Sequence, residues 1–412
     1  MRNATIDMQD RPWARSEETG MTYGWTTRWS WRLFAVGLPL SIVAAHIALG
    51  FLILAAVLRF RSGELRWRKT PLEKALAFYL IVCAATAAVG LVPTKAFIQL
   101  ASFWHVSIYW LMVNTVSDRK ELKTIVSIML IAAALNAAYG VVQNSLDESV
   151  RAVGSFSHPM TFAGQIQMVL LLAIAVWLQL PWGRERWAMG VLLLVLSGGL
   201  VTSYTRSAWI GFLTGGSGIG WMRGIRTGLA LLAVIVLFMV IAVILKPSLG
   251  QRIQSIPDIR LTGSNEERIR IWGATLEMIR DHPIFGVGGG GYRTALEAYR
   301  ERWNLRSRSH AHNNFLQQAA THGLFGLAAF VAIWVVILKA AWQTARGGLP
   351  APYQGWLVGG AMAVVAFLVA GLFEANFGDS EVAMMMWFMV GLVMWVRMRV
   401  MPPSTGRVKF EI

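Results

Sequence analysis

The chain has 412 residues, 55% hydrophobic and only 15% charged, well below the roughly 25% charged residues of a soluble domain. The apolar residues come in long blocks rather than in alternation, and blocks of about 18 or more read as membrane-spanning helices, so a soluble globular protein is excluded. The net charge of +16 would suggest nucleic acid in a soluble chain, but in a membrane protein Lys and Arg collect in cytoplasmic loops, and no nucleic-acid partner is expected.

Residues 1–32 are polar and read as a cytoplasmic tail, with no short apolar core of the kind that marks a cleaved signal peptide. The first apolar block, 33–58, has basic residues at both ends: Arg28 and Arg32 before it, Arg59 and Arg61 after it. Two cytoplasmic ends require two crossings, with Pro39 or Gly50 as the break. Further spans are expected near 73–92, 97–116, 122–143, 160–181, 187–204, 206–222 and 226–245, then 314–342, 356–374 and 382–399. The single cysteine, Cys83, falls inside an apolar stretch, so no intrachain disulfide forms. Trp31, Trp67, Trp182, Trp187, Trp221 and Trp356 fall near span ends, as in an interfacial aromatic belt.

Loop charge sets the orientation. Arg66, Arg68 and Lys69, then Arg119, Lys120 and Lys123, then Arg184 and Arg186, Arg223 and Arg226, Lys339 and Arg346, and finally Arg397, Arg399, Arg407 and Lys409 mark the cytoplasmic side. The loops at 144–159, Tyr204–Arg206, 246–313 and Glu374–Glu381 then face outward. The expected fold is an all-α polytopic membrane protein of about twelve transmembrane helices, with eleven as the alternative. It divides into the 1–32 tail, a first bundle over 33–245, a long, partly helical periplasmic loop over 246–313, last spans over 314–399, and a cytoplasmic tail over 400–412.

The long loop carries ten arginines. Read plainly they are a solvated, charged cap; read functionally they recognise an anion, because the planar guanidinium fork donates two parallel hydrogen bonds to phosphate. Ser264-Asn265-Glu266-Glu267 reads as a capping box that starts a helix over 266–281, stopping before Pro283. Arg268, Trp272, Thr275 and Ile279 share one face of it, and Arg268 lies near the helix start, where anions are favoured. The run Gly286–Gly291 follows no strand, so it is not a dinucleotide fingerprint; it reads as a flexible turn or a close backbone approach.

Ser309-His310-Ala311-His312-Asn313-Asn314 then enters a span. No carboxylate or third histidine stands at ligand spacing nearby, so no metal is expected. A histidine at a span mouth has a pKa suited to general base catalysis; the bland alternative is an interfacial histidine with no role. Two further arginines sit at outward mouths: Arg206 between two spans with almost no loop, and Arg151 just before a span. An ionisable residue in such a place is costly and suggests function, against simple snorkelling. Arg151, Arg206, Arg268 and His312 come from four regions, yet the charge pattern puts all four on one face.

Three segments resemble the bacterial O-antigen ligase family, part of a superfamily with O-antigen polymerases and O-oligosaccharyltransferases. They are Thr205-Arg206-Ser207-Ala208-Trp209; Arg268-Ile269-Arg270-Ile271-Trp272 with Ile279–Gly288; and His312-Asn313-Asn314-Phe315-Leu316-Gln317 with Gly323–Gly326. Arg151–Pro159 is a weaker fourth. The resemblance covers roughly 150–330. It implies a glycosyltransferase of the bacterial inner membrane, working on the periplasmic face without cofactor or metal. Such an enzyme takes a polysaccharide from undecaprenyl pyrophosphate and hands it to a sugar hydroxyl of lipid A–core, in contact with membrane lipids. In that scheme Arg206 and Arg268, with Arg151 in a lesser role, stabilise the departing pyrophosphate. His312 takes the acceptor proton, with His310, Asn313 and Arg270 as accessory candidates. A polymerase, a protein O-oligosaccharyltransferase and, from another class, a lipid-linked sugar transporter are the alternatives. The short C-terminal tail weighs against the second, and the gathering of ionisable groups at one face weighs against the transporter.

Overall fold

The computed structural model describes residues 21–233, 244, 263–306 and 310–401. Most of the expected 226–245 span, together with Arg252, Asp258, Arg260, Arg308, Arg407 and Lys409, lies outside the described residues. Among the described residues there is no strand, and eight helical segments are long and apolar enough to cross a membrane. The chain is an all-α, multi-pass membrane protein.

The ambiguous first block is two helices, α1 (Met21–Leu40) and α2 (Ile42–Arg61), packed on each other and parted at Ser41, whose hydroxyl accepts from the Ala44 amide. Residues 21–32, expected as tail, are helical. The physical reason is packing: Trp31 and Phe34 are wholly buried, and the Trp31 indole donates to Thr115 Oγ1 at 2.9 Å. After α3 (Glu73–Val89), the expected 97–116 span is present as the helical run Pro93–Thr115, built of three consecutive pieces. These are the short amphipathic α4 (Pro93–Ala101), a 3₁₀ turn (Ser102–Val106) and α5 (Ser107–Thr115).

Four long helices follow: α6 (Arg119–Leu146), α7 (Pro159–Trp177), α8 (Arg184–Thr202) and α9 (Arg206–Arg223). The long loop contributes α10 (Gly263–Asp281), α11 (Tyr292–Leu296) and α12 (Arg300–Trp303). The last three helices are α13 (Asn314–Ala345), α14 (Ala351–Ala370) and α15 (Ser380–Val400).

Burial separates the centre from the rim. In α7 and α15, 83% of the apolar window is buried, against 28% in α2 and α8. On the rim helices, Ile47, Phe51 and Leu54 of α2 and Val191 and Leu194 of α8 stand exposed at helical spacing. Such a face would be costly in water and is at home in lipid. The α9–α14 seam is made by small residues. A Cβ at Gly211 would lie 2.6 Å from the Ala366 carbonyl and one at Gly215 2.9 Å from that of Met362, the close approach that membrane helices use. At the end away from the long loop, Arg399 donates to the carbonyls of Val116 and Ser117, and Arg397 to Thr344 Oγ1 at 3.2 Å.

The helix expected as one span over 314–342 is broken. Gly323 has φ 67° and ψ −173°, a conformation only glycine adopts readily. The glycine-rich strap after α10 fills the break. The Leu324 amide donates to Pro283 O (2.8 Å), Val287 N to Ala320 O (2.9 Å) and Gly288 N to Thr321 O (2.9 Å). On its other side Gly288 touches Gly90 so closely that a Cβ on either would lie 2.6 Å from the other's Cα. The glycine run is therefore a close-approach device that caps the first segment of α13.

Candidate active site

The site lies where the 147–158, 203–206 and 371–379 loops meet α10 and the start of α13. Arg151 donates from Nε to Ser203 O (2.9 Å) and from Nη2 to Thr205 Oγ1 (2.8 Å). Those residues form the turn between α8 and α9, in which Tyr204 is held at φ 50°. Arg206, the first residue of α9, donates to Asn265 Oδ1 of α10 at 2.8 Å. One turn along α10, Arg268 pairs with Glu374 (Nη2 to Oε2, 3.3 Å). Glu374 Oε1 in turn faces His312 Nδ1 at 3.1 Å.

The helix α10 begins at Gly263 rather than at Ser264, so Ser264 lies within it and is not the expected N-cap. Glu267, expected to close a capping box, accepts from the Arg306 amide instead (2.8 Å) and ties the loop down. The expected shared face is present. Beside Arg268, the Trp272 indole donates to Ala311 O at 2.9 Å, and Thr275 is wholly buried against Tyr292. Ile271, Ala274 and Met278 pack beneath them in a small core with Tyr292 and Leu296. This packing fixes the rotation of α10 and turns Arg268 inward.

The other loop arginines sort differently. Arg270 pairs with Glu266 and reaches Asn304 O, while Arg300 and Arg302 pair with Glu297 and Glu277 on the surface. Exposed pairs of this kind contribute about 0–1 kcal/mol and fit the solvated-cap reading; the accessory part expected of Arg270 is a surface contact.

His312 is held at φ 48°. Backbone strain of this kind in a non-glycine residue persists only where the surroundings enforce it, and it clusters at functional sites. The enforcement comes from the next two residues. Asn313 caps α13 by accepting from the Phe315 and Leu316 amides, and donates to Leu372 O at 2.9 Å. The Asn314 amide donates to Gly371 O (2.7 Å), and its side chain bonds Asn376 and accepts from the Phe377 amide. Together they clamp the 371–377 loop, and with it Glu374, against the mouth of α13. Both polar atoms of the Asn313 side chain are thus engaged with backbone.

His310 lies beside His312 with ring centroids 4.1 Å apart and the ring planes tilted by 59°, and its Nδ1 accepts from the His312 amide. Burial first, then the neighbouring His312, pushes the His310 pKa down to about 4, so it is neutral near pH 7. Burial raises the carboxyl of Glu374, but the hydrogen bond from His312 and the charges of His312 and Arg268 outweigh it, leaving a net downward shift.

Glu374 is the residue that local sequence reading missed. It stands 62 residues from His312 and 106 from Arg268, in a loop legible only as acidic and outward-facing. The expectation that no carboxylate stands near the two histidines holds along the chain and fails in space. Arg151, expected on the anion, instead spends two of its nitrogens on the α8–α9 turn. A cavity of about 60 Å³, lined by Phe103, His105, Phe377, Ser380 and Trp387 among others, lies beside the 376–380 turn. None of the site's arginines lines it.

Chemically, the arrangement offers two guanidiniums on adjacent elements and an imidazole whose Nδ1 is held by a carboxylate. Near Arg206 the first turn of α9 has no side-chain cap, and a helix N-terminus favours an anion. Residues 191–331 match the family model described as O-antigen ligase. No curated protein matches the chain. The matched stretch takes in Arg206, Arg268, His310, His312 and Asn313, while Arg151 and Glu374 lie outside it. Over that stretch, about a third of the chain, the sequence is similar to the O-antigen ligase family.

Proposed function

We propose that the chain is an O-antigen ligase of the bacterial inner membrane, transferring a polysaccharide from undecaprenyl pyrophosphate to a sugar hydroxyl of lipid A–core on the periplasmic face. The observation that carries this reading is that α10 links two groups: Asn265 takes Arg206, and one turn on Arg268 pairs with the Glu374 that holds His312, which gathers anion-binding groups and a carboxylate-supported base at one helix.

In this reading the donor's pyrophosphate lies against Arg206 and Arg268. The guanidinium of Arg268 has five N–H donors, and one nitrogen is engaged with Glu374. His312 donates Nδ1–H to Glu374, which leaves Nε2 with the lone pair needed to accept a proton; a carboxylate in this place fixes tautomer and ring orientation and stabilises the imidazolium. The acceptor hydroxyl gives its proton to Nε2, and its oxygen attacks the anomeric carbon. The bond from that carbon to the phosphate oxygen breaks, and its electron pair stays on the pyrophosphate. The charge so gained meets two fixed cations, the kind of preorganised stabilisation that lowers a transition state most. One displacement inverts the anomeric configuration. The reaction draws on neither cofactor nor metal.

The test is purified full-length chain reconstituted with lipid-linked polysaccharide and lipid A–core. Transfer should persist in a chelator and be abolished by His312→Ala, Arg206→Ala or Arg268→Ala. Transfer unaffected by those changes would sink the site assignment. Joining of repeat units without lipid A–core would indicate a polymerase, and movement of donor without transfer would indicate a transporter.

A further inference from the structure

The same corner of the molecule has a second chemical capacity. His310 and His312 are two residues apart, and the left-handed backbone at His312 brings their rings side by side. Glu374 arrives from another loop, and one ligand atom from each of the three lies within 4.8 Å of the others. Tetrahedral zinc, with bonds of about 2.0–2.2 Å, sets its ligand atoms about 3.3–3.5 Å apart. His312 Nδ1 and Glu374 Oε1, at 3.1 Å, stand within a few tenths of an ångström of that spacing. His310 has at most about 1.5 Å to close, on the same scale.

The geometry points to a site for a divalent transition ion of the zinc type, with His310, His312 and Glu374 as ligands, whose occupancy blocks transfer. Two imidazoles and one carboxylate with an open fourth position suit zinc. Magnesium and calcium ask for six or more oxygens, which three ligands with two nitrogens do not supply. The ion would take the place of the proton shared between His312 and Glu374. It would pull Glu374 from its positioning role and hold the His312 ring on the metal, so that the ring can no longer serve as base. Arg268, on the other carboxylate oxygen at 3.3 Å, repels a cation, so the site is reversible rather than permanently filled. The blocking effect rests on the function proposed above; the binding does not.

Full-length chain in detergent, stripped with a chelator, is titrated with zinc chloride against a chromophoric zinc probe. One zinc per chain is expected, in the micromolar range and undisturbed by excess magnesium. X-ray absorption on the zinc-loaded wild type should show two imidazoles and an oxygen ligand, a readout that needs no variant to fold. Glu374→Gln and His310→Ala should each weaken binding about tenfold or more, on the scale of losing a ligand or its support. His46→Gln, which breaks the only other close histidine pair among the described residues (His46 and His105, 3.2 Å), should not. The site is overturned if no stoichiometric zinc binds, if the absorption spectrum lacks paired imidazoles, or if binding survives His310→Ala and fails in His46→Gln. If zinc binds there but transfer continues undiminished, the blocking role is overturned. If the stripped chain shows no transfer at all, the function is wrong and the metal site still stands on its own data.

Discussion

Glu374→Gln is the sharpest perturbation this site allows, because it changes one charge and almost no volume. The carboxylate has two partners: His312 at 3.1 Å on one oxygen and Arg268 at 3.3 Å on the other. At 3.3 Å and an effective dielectric near 20, the Arg268 pair is worth about 5 kcal/mol before desolvation, and much of that is offset by taking both charges out of water. Gln keeps the shape but can present its NH₂ to His312 Nδ1. That would hold the tautomer whose Nε2 carries the proton and cannot act as base. A general base contributes about 10²–10⁴-fold, and a wrong tautomer in a carboxylate–histidine pair costs about 10⁴. The expected result is a fall in kcat of about 10²–10⁴. The donor KM should stay unchanged or drop, because Arg268 is released from its ion pair. The assay is transfer of lipid-linked polysaccharide to lipid A–core by the reconstituted chain, with donor concentration varied. A kcat within about twofold of wild type, or a loss carried wholly by KM, would refute the positioning role.

Acidification should unfold the site before the bundle. His310 has its folded pKa lowered from 6.5 to about 4, so below pH 6.5 the unfolded chain binds a proton that the folded chain refuses. Stability is therefore full above pH 6.5 and falls by about 3 kcal/mol as pH drops toward 4. Glu374, with its folded value depressed, adds stability above the usual carboxylate range that is lost as pH falls through that lowered value. Thermal unfolding from pH 7.5 to 4 should show the decline, and His310→Gln should flatten its upper part; an unaltered slope would exclude His310 as the cause. Arg151→Ala removes two hydrogen bonds from a charged donor and should cost about 3 kcal/mol. The α8–α9 turn and Arg206 should loosen with it, and a variant with wild-type melting and selectively lost donor affinity would instead put Arg151 on the anion. Gly323→Ala would drive a Cβ into the backbone of Ile284 and Phe285 at a φ and ψ reserved for glycine. It should cost at least about 3 kcal/mol, read as lost expression or melting temperature, and unchanged melting would contradict the strap.

The amino-acid sequence by itself determined the class of the molecule and most of its span positions, because both follow from local apolar runs that fit or fail to fit a bilayer. It determined the end of α10, where Pro283 stops the helix, and the face that presents Arg268. It also singled out Arg206 and His312 as ionisable residues at span mouths. Tertiary structure decided the rest. It set the break between the two expected crossings at Ser41, two residues after Pro39, and extended α1 back to Met21, because the buried Trp31 packs helix where polarity alone reads as tail. It broke α13 at Gly323, where a strap from another region replaces helical hydrogen bonds; a lone glycine in an apolar run carries no mark of that. It tied two nitrogens of Arg151 to the turn behind Arg206. Above all it supplied Glu374. An imidazole states its need for a partner nowhere in the neighbouring residues, and the carboxylate that meets it is delivered by Asn313 and Asn314 clamping a loop 62 positions away.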